Sequence, residues 1–329
     1  MPKTTLPEAA VQQAAAPDAG LLHRRIAAWF AANARPLPWR EPGCSAWGIM
    51  VSEFMLQQTP VARVLPVWEQ WLRRWPEPAA LAAEPSGEAV RAWGRLGYPR
   101  RALRLHAAAT AIVAQHGGAV PASHAELLAL PGVGTYTAAA IASFAFDAPE
   151  TVVDTNVRRV QARLVGGEAL PAPSLTAGEM KRAHALMPGR PAARAWNAGV
   201  MELGALVCTA RSPKCGQCPV LDACAWVAAG RPEPRYVPKG QAWAGTDRQV
   251  RGAMMAVLRK ASAPVLPGLL LGSVDLVAAA EPEQAGGVGA ELQRLHALNA
   301  SDEQLTRCLD GLVRDGLAQA SAAGVALPA

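Results

Sequence analysis

What the sequence lacks sets the first bounds on it. No apolar run approaches the ~20 residues that a bilayer-spanning helix needs, although apolar residues make up 51% of the chain. That apolar content is available for a sizeable folded core. The opening segment MPKTTLPEAAVQQAAAPDAG has no basic start followed by an apolar stretch, so it does not read as a secretory signal. Residues 1–20 are expected to be a disordered lead-in, and the chain to be cytoplasmic. Strand-type alternation is scarce and no internal repeat is visible, which argues against sheet sandwiches and repeat arrays. Cysteines number six. In a reducing compartment they point to metal binding or catalysis before disulfides. Positive charge is missing from one end: residues 261–329 hold three basic and eight acidic side chains, a net −5. The remainder carries +11, for a total of +6. A basic body of this kind suits a polyanion, although an arginine-rich composition alone produces the same figure.

What is present is mostly helical pattern. Leu22, Ile26, Trp29 and Phe30 form a helical stripe in 21–34, and 61–75 repeats that spacing after Pro60. Segment 99–117 opens on proline and ends on glycine, the order expected of a helix. Further helices are predicted over about 135–145, 154–164, 176–187 and 191–206. Proline and glycine mark 231–246 as a linker. Beyond it, DRQVRGAMMAVLRK and SDEQLTRCLDGLVRDGL read as helices and AQASAAGVALP as a short hairpin. Together they suggest a small winged-helix-like unit over 247–329.

Cys208, Cys215, Cys218 and Cys224 fall within 17 residues, spaced x6, x2 and x5. Four thiolates suit zinc or an iron–sulfur cluster. Structural zinc sites usually pair two tight Cys-x2-Cys knuckles. Only one pair is tight here, so a single loop wrapped around a [4Fe–4S] cubane fits the spacing better. Arg211 and Lys214 lie inside the loop, where they either meet a phosphate or are simply solvated. Cys44 and Cys308 are left over.

LPGVGTYTAAAIASFAF (130–146) joins a short helix to a longer one through Pro-Gly-Val-Gly. Gly132 and Gly134 permit a tight turn and close backbone approach. The helix that follows aims free N–H groups at one point, an anion site that on DNA takes a phosphate without reading sequence. A purely structural helix turn is the plainer alternative. Glu53 sits among Val51, Phe54, Met55 and Leu56. A dry setting of that kind raises a carboxyl pKa toward neutrality; a solvated glutamate is the plainer reading. Asp154 follows Val152 and Val153 at the start of a helix, where N-capping and catalysis are compatible. Two carboxyls in unlike settings are what glycosidic cleavage needs: one protonates the leaving group, and the other stays ionised beside an oxocarbenium-like sugar.

LPWR (37–40), VSEFMLQQTPV (51–61), WGRLGY (93–98), LPGVGTYTA, VDTNVRRV, ELGALVC (202–208) and the cysteine loop occur in this order. Over residues ~21–230 the chain resembles the MutY-type adenine DNA glycosylases, members of the helix–hairpin–helix, iron–sulfur base-excision superfamily. The resemblance implies an all-α fold with two helical subdomains and a [4Fe–4S] loop at 208–224. It places a catalytic core over 21–230, with the helix–hairpin–helix at about 123–146. It also implies that adenine mispaired with 8-oxoguanine or guanine in double-stranded DNA is flipped out and hydrolysed.

Carried over onto this sequence, Glu53 resembles the acid that protonates adenine N7 and Asp154 the carboxylate that stabilises the sugar cation. Asn156 resembles the residue that positions Asp154 and the water, and Tyr136 lines the pocket beside them. Arg35, Trp39 and Arg40 fall where the family shapes the adenine pocket. Leu56, Gln57, Gln58 and Thr59 form the DNA-contacting run, with Gln58 resembling the wedge that fills the stack. Tyr98 resembles the wedge beside 8-oxoguanine. Core packing is the plainer reading of Trp39 and Tyr98. Bifunctional relatives place a nucleophilic lysine where Tyr136 stands, so a monofunctional hydrolase is expected, acting as a nucleoid-associated monomer. A thymine or uracil mismatch glycosylase, and a non-catalytic iron–sulfur scaffold, are the alternatives. Two departures stand out. Pro99 follows Tyr98 where the family often has a second tyrosine, and 247–329 is too short for the MutT-like domain many members carry. That segment either contacts DNA or serves as a packing or interaction module. Its negative charge favours the second.

Overall fold

The computed structural model describes residues 18–237, 240, 242–273 and 287–329. The expected lead-in falls almost wholly outside these residues, as do parts of the linker and of the acidic tail. The elements in chain order are α1 (Ala19–Asn33), α2 (Ala46–Leu56), α3 (Val61–Arg74), α4 (Pro78–Ala82), α5 (Ser86–Trp93), α6 (Arg100–His116), α7 (His124–Ala129) and α8 (Thr135–Phe146). They continue with α9 (Thr155–Leu164), α10 (Ala177–Ala185), α11 (Ala193–Leu206), α12 (Ala225–Ala228), α13 (Asp247–Lys260), α14 (Pro267–Leu271), α15 (Gly289–His296), α16 (Asp302–Arg314), β1 (Gln319–Ser321) and β2 (Gly324–Ala326). The fold is all-α apart from that last hairpin. Among the described residues no helix is long and apolar enough to cross a membrane.

The chain forms two compact units. One comprises residues up to 35 together with those from 147 to the linker; the other comprises 36–146 together with the C-terminal segment. In the first unit, α1 and α9 pack on α11. Leu22 and Ile26, Val157, Val160 and Leu164, and Trp196, Val200 and Leu203 supply the core, as the 3.6-residue spacing of those positions requires. The cysteine loop follows α11 directly and packs against this core through Cys208, Cys218 and Cys224.

In the second unit α2 is the central element, flanked by α3, α6 and α8. Every residue from Trp47 to Met55 is buried. A helix covered on all sides has no polar face, so its sequence carries no 3.6-residue stripe. Beside it Trp71 meets Trp75 and Trp93 edge to face at 4.6 and 5.7 Å. The C-terminal segment belongs to this unit. Its helices α15 and α16 pack on α13, and its hairpin sets Gln319 opposite Ala326. It is docked on α5: Gly87 N–H donates to Pro328 O at 2.9 Å, Arg259 Nε donates to Val90 O at 3.1 Å, and Arg91 donates to Ala261 O at 3.1 Å. Asp315 pairs with Arg251 of α13 at 2.5 Å and with Arg100 of α6 at 3.4 Å.

Candidate active site

Each unit carries one of the two carboxyls. Ser45 caps α2 by accepting from Gly48 N–H, and the apolar run that follows pulls Glu53 inward until it is only 5% exposed. Its Oε2 accepts from the Tyr136 hydroxyl at 3.2 Å. One turn on, Gln57 Nε2 donates to Thr137 Oγ1 at 3.3 Å. The C-terminal end of α2 is thus pinned twice to the first turn of α8. The hairpin before α8 depends on Gly132, whose φ is +76° and where a Cβ would lie 2.5 Å from Arg104 Cβ. Gly134 behaves differently from the sequence expectation. Its φ is ordinary and a Cβ there would meet nothing within 4 Å. Glycine at 134 therefore serves no close approach within the chain; it leaves the α8 N-terminus open.

In the first unit Asp154 caps α9. Its Oδ1 accepts from Val157 N–H at 2.7 Å and its Oδ2 from Asn156 Nδ2 at 2.8 Å. Burial pushes the Asp154 carboxyl above its ordinary value, opposed by these two donors and by the charge of Arg159. Arg159 also donates to Asn156 Oδ1, Gly204 O and Cys208 O, each at 2.7 Å. Because Arg159 holds the amide oxygen, the Asn156 NH2 group faces Asp154. Gly204 makes room for this, since a Cβ there would lie 2.7 Å from Asn156 Cβ. One arginine therefore links the carboxylate, its amide partner and the start of the cysteine loop.

The remaining expected residues divide between the units. Arg35, in the first, grips the buried Glu202 with Nε at 2.8 Å and Nη2 at 2.7 Å. Trp39, in the second, is buried and packs edge to face on Trp68 at 5.6 Å; Arg40 beside it is half-buried. Leu56 ends α2. Gln58 and Tyr98 are both exposed and both left-handed, with φ of 55° and 47°. Thr59 is buried, and its hydroxyl accepts from Arg101 Nη2 at 3.0 Å. The sequence reading missed Arg101, Arg159 and Glu202. All three lie in or beside motifs already noted, but their partners are at least two residues and usually dozens away.

Against the cysteine loop, Arg163 of α9 is nearly fully buried and donates to Cys208 Sγ at 3.4 Å, Thr209 O at 2.7 Å and Ala210 O at 3.0 Å, beneath the Trp226 ring. Burial pushes the Cys218 thiol up to about 11, and the charges of Cys208, Cys224 and Cys215 push it the same way. Backbone N–H groups of Val220 and of Val227 and Trp226 oppose this at Cys218 and Cys224. Thiolates that repel one another are a donor set for a cationic cluster, and the N–H donors turned on Cys218 and Cys224 suit it. Among the described residues no three His, Cys, Asp or Glu side chains gather around one point as for a single ion. A cubane takes each thiolate at a separate iron corner.

Residues 51–184 match the HhH-GPD superfamily of base excision DNA repair proteins, and 208–224 match the iron–sulfur binding domain of endonuclease III. The loop is thus a [4Fe–4S] site, and its cysteines are Cys208, Cys215, Cys218 and Cys224. The chain is 54% identical over 245 residues to an adenine DNA glycosylase of Mycobacterium tuberculosis, covering 73% of this chain and 79% of the relative. It is 46% identical over 299 residues to an adenine DNA glycosylase of Mycolicibacterium smegmatis, covering 91% and 93%. Among solved structures, a thermostable thymine-DNA glycosylase superposes with a TM-score of 0.58 at 26% identity, over 64% of this chain and 97% of that one.

Proposed function

The chain belongs to the adenine DNA glycosylase family, and from that premise we propose that it is a monofunctional hydrolase that removes adenine mispaired with 8-oxoguanine or guanine from double-stranded DNA. Glu53 protonates N7 of the flipped adenine, because a nucleobase is a poor leaving group until it is protonated. The Tyr136 hydroxyl on Glu53 Oε2 holds the acid in one rotamer. Asp154, ionised, faces the developing positive charge of the sugar, while Asn156 orients both it and the attacking water. The hairpin at Gly132 and Gly134 takes a phosphate of the flipped strand, with Gln58 and Tyr98 filling the stack left behind. Leu56, Gln57 and Thr59 shape that contact, and Arg35, Trp39 and Arg40 shape the base pocket.

The observation that carries this reading is the setting of the two carboxyls. One is buried against a phenol; the other is buried but surrounded by donors that favour its charge. Such a division matches general acid and electrostatic partner. No lyase step is expected, since Tyr136 and not a lysine stands next to the hairpin. The protein acts as a monomer on chromosomal DNA in the cytoplasm. The test is a panel of duplexes carrying A opposite 8-oxoguanine, A·G, A·C, T·G and U·G, each with and without hot alkali. Free adenine from the first two, with strand breaks only after alkali, is the expected result. Release of thymine or uracil, or strand cleavage without alkali, would overturn it.

A further inference from the structure

Arg101 is 6% exposed in the second unit, and the functional reading leaves it unused. Its guanidinium faces two segments at once. Nη1 donates to Phe54 O at 2.9 Å and Met55 O at 3.1 Å near the end of α2, and to Gln57 O at 2.6 Å just past it. Nη2 donates to Thr59 Oγ1 at 3.0 Å and to Gly97 O at 3.1 Å. The bonded groups flank Gln58 on both sides and immediately precede Tyr98. The guanidinium also lies 5.5 Å from the Tyr98 ring centroid, within cation–π range. Gln58 and Tyr98 are both non-glycine residues in left-handed backbone, a conformation that persists only where the surroundings enforce it.

We infer that Arg101 is a positioning residue that holds Gln58 and Tyr98, through their flanking carbonyls and the tyrosine face, in one common presentation toward DNA. This rests on the reading that those two side chains enter the base stack. A planar fork with five donors can tie two chain segments together; the ammonium of lysine cannot reach both in the same geometry. Loss of the fork frees two turns that strain would otherwise unwind. The surface therefore pays twice for one substitution, at both wedges.

The test is a set of double-mutant cycles on the cluster-loaded full-length protein. The variants are Arg101→Lys, Gln58→Ala and Tyr98→Ala. The probe is a duplex with A opposite 8-oxoguanine and 2-aminopurine beside the mispaired adenine, read by affinity and by fluorescence on unstacking. Arg101→Lys is expected to weaken binding about tenfold and to reduce the fluorescence rise. In the Gln58→Ala/Tyr98→Ala background the same substitution should change binding less than about twofold, because interactions through shared partners are non-additive. Full additivity would overturn the inference. If neither Gln58→Ala nor Tyr98→Ala alters binding or fluorescence, the wedge reading itself fails and takes the inference with it. Thr59→Val gives an independent arm should Arg101→Lys not fold. It removes one Nη2 partner and the bond from the Thr59 hydroxyl to Leu96 O at 3.3 Å, and should couple to Gln58→Ala and to Tyr98→Ala; coupling to neither would also overturn the inference.

Discussion

Asp154 is pulled in two directions. Burial favours its neutral form, while the Val157 N–H, the Asn156 amide and Arg159 favour its charge. The net pKa lies above the ordinary carboxyl value, so the unfolded chain releases this proton more readily than the folded one. Its contribution to stability is therefore fully present below the unfolded pKa and is lost as pH rises through the folded one. Activity follows the opposite sign, because the sugar cation needs the carboxylate. Asn156→Ala removes a donor to the ionised form, and the acid limb of the single-turnover rate against pH should move to higher pH. An unmoved limb would separate Asn156 from Asp154 chemically. For Glu53→Gln, removal of the proton donor should slow adenine release by about 10²–10⁴-fold while leaving affinity for the lesion duplex near normal, as measured by rapid quench and by fluorescence anisotropy. Of these residues the sequence displayed Glu53 and Asp154, since an acid within an apolar run and a cap before a helix are local signals. Arg159 and Arg101 were legible only as charges on helices. Their fixed partners at 204 and 208, and at 54–59, are tertiary.

Helices differ in how openly they announce themselves. α1 and α3 were read from their stripes, because each shows one face to water, and α6 from the proline before it and the glycine after it. α2 was not, although it bears the proposed acid: its uniform burial erases the periodicity. The C-terminal helices and hairpin were also foreseeable, but their docking was not. The contact at α5 rests on Gly87, where a Cβ would overlap Pro328 O and Leu327. Gly87→Val should therefore loosen that docking and lower stability by ~1–3 kcal/mol, read by thermal melting. If the segment is a packing module, lesion-DNA affinity should change less than about threefold; a larger loss at unchanged stability would restore the DNA-contact reading.

At the scale of the whole molecule, charge and cluster have separate duties. The excess of +11 over residues 1–260 against −5 in the tail places phosphate neutralisation in the body. The slope of log affinity against log salt should be strongly negative, at about −0.9 per phosphate contact. It should survive deletion of the acidic segment 261–329 where the shortened chain remains folded by circular dichroism. Base hydrolysis involves no redox step, so the proposed mechanism gives the cluster a structural duty only. Its loop anchors Cys208, and Cys208 O is one of the bonds of Arg159, the arginine that fixes Asn156 against Asp154. Cys215→Ser should remove the cluster's visible absorbance and cost folding or DNA binding first, with any remaining folded protein slowed through Asp154. Normal affinity and rate in the absence of that absorbance would sever the link. By itself the sequence determined the cofactor and marked the two candidate carboxyls and the hairpin, because ligand spacing, apolar flanks and a glycine turn are short-range patterns that chemistry constrains directly. Only the tertiary structure decided which arginines surround the two carboxyls and the turns beside them, that a side chain at 134 would meet nothing within 4 Å, and that the acidic tail belongs with residues 36–146. Those outcomes depend on which carbonyls, faces and charges are brought together by burial of a core drawn from distant segments, and no local pattern encodes that.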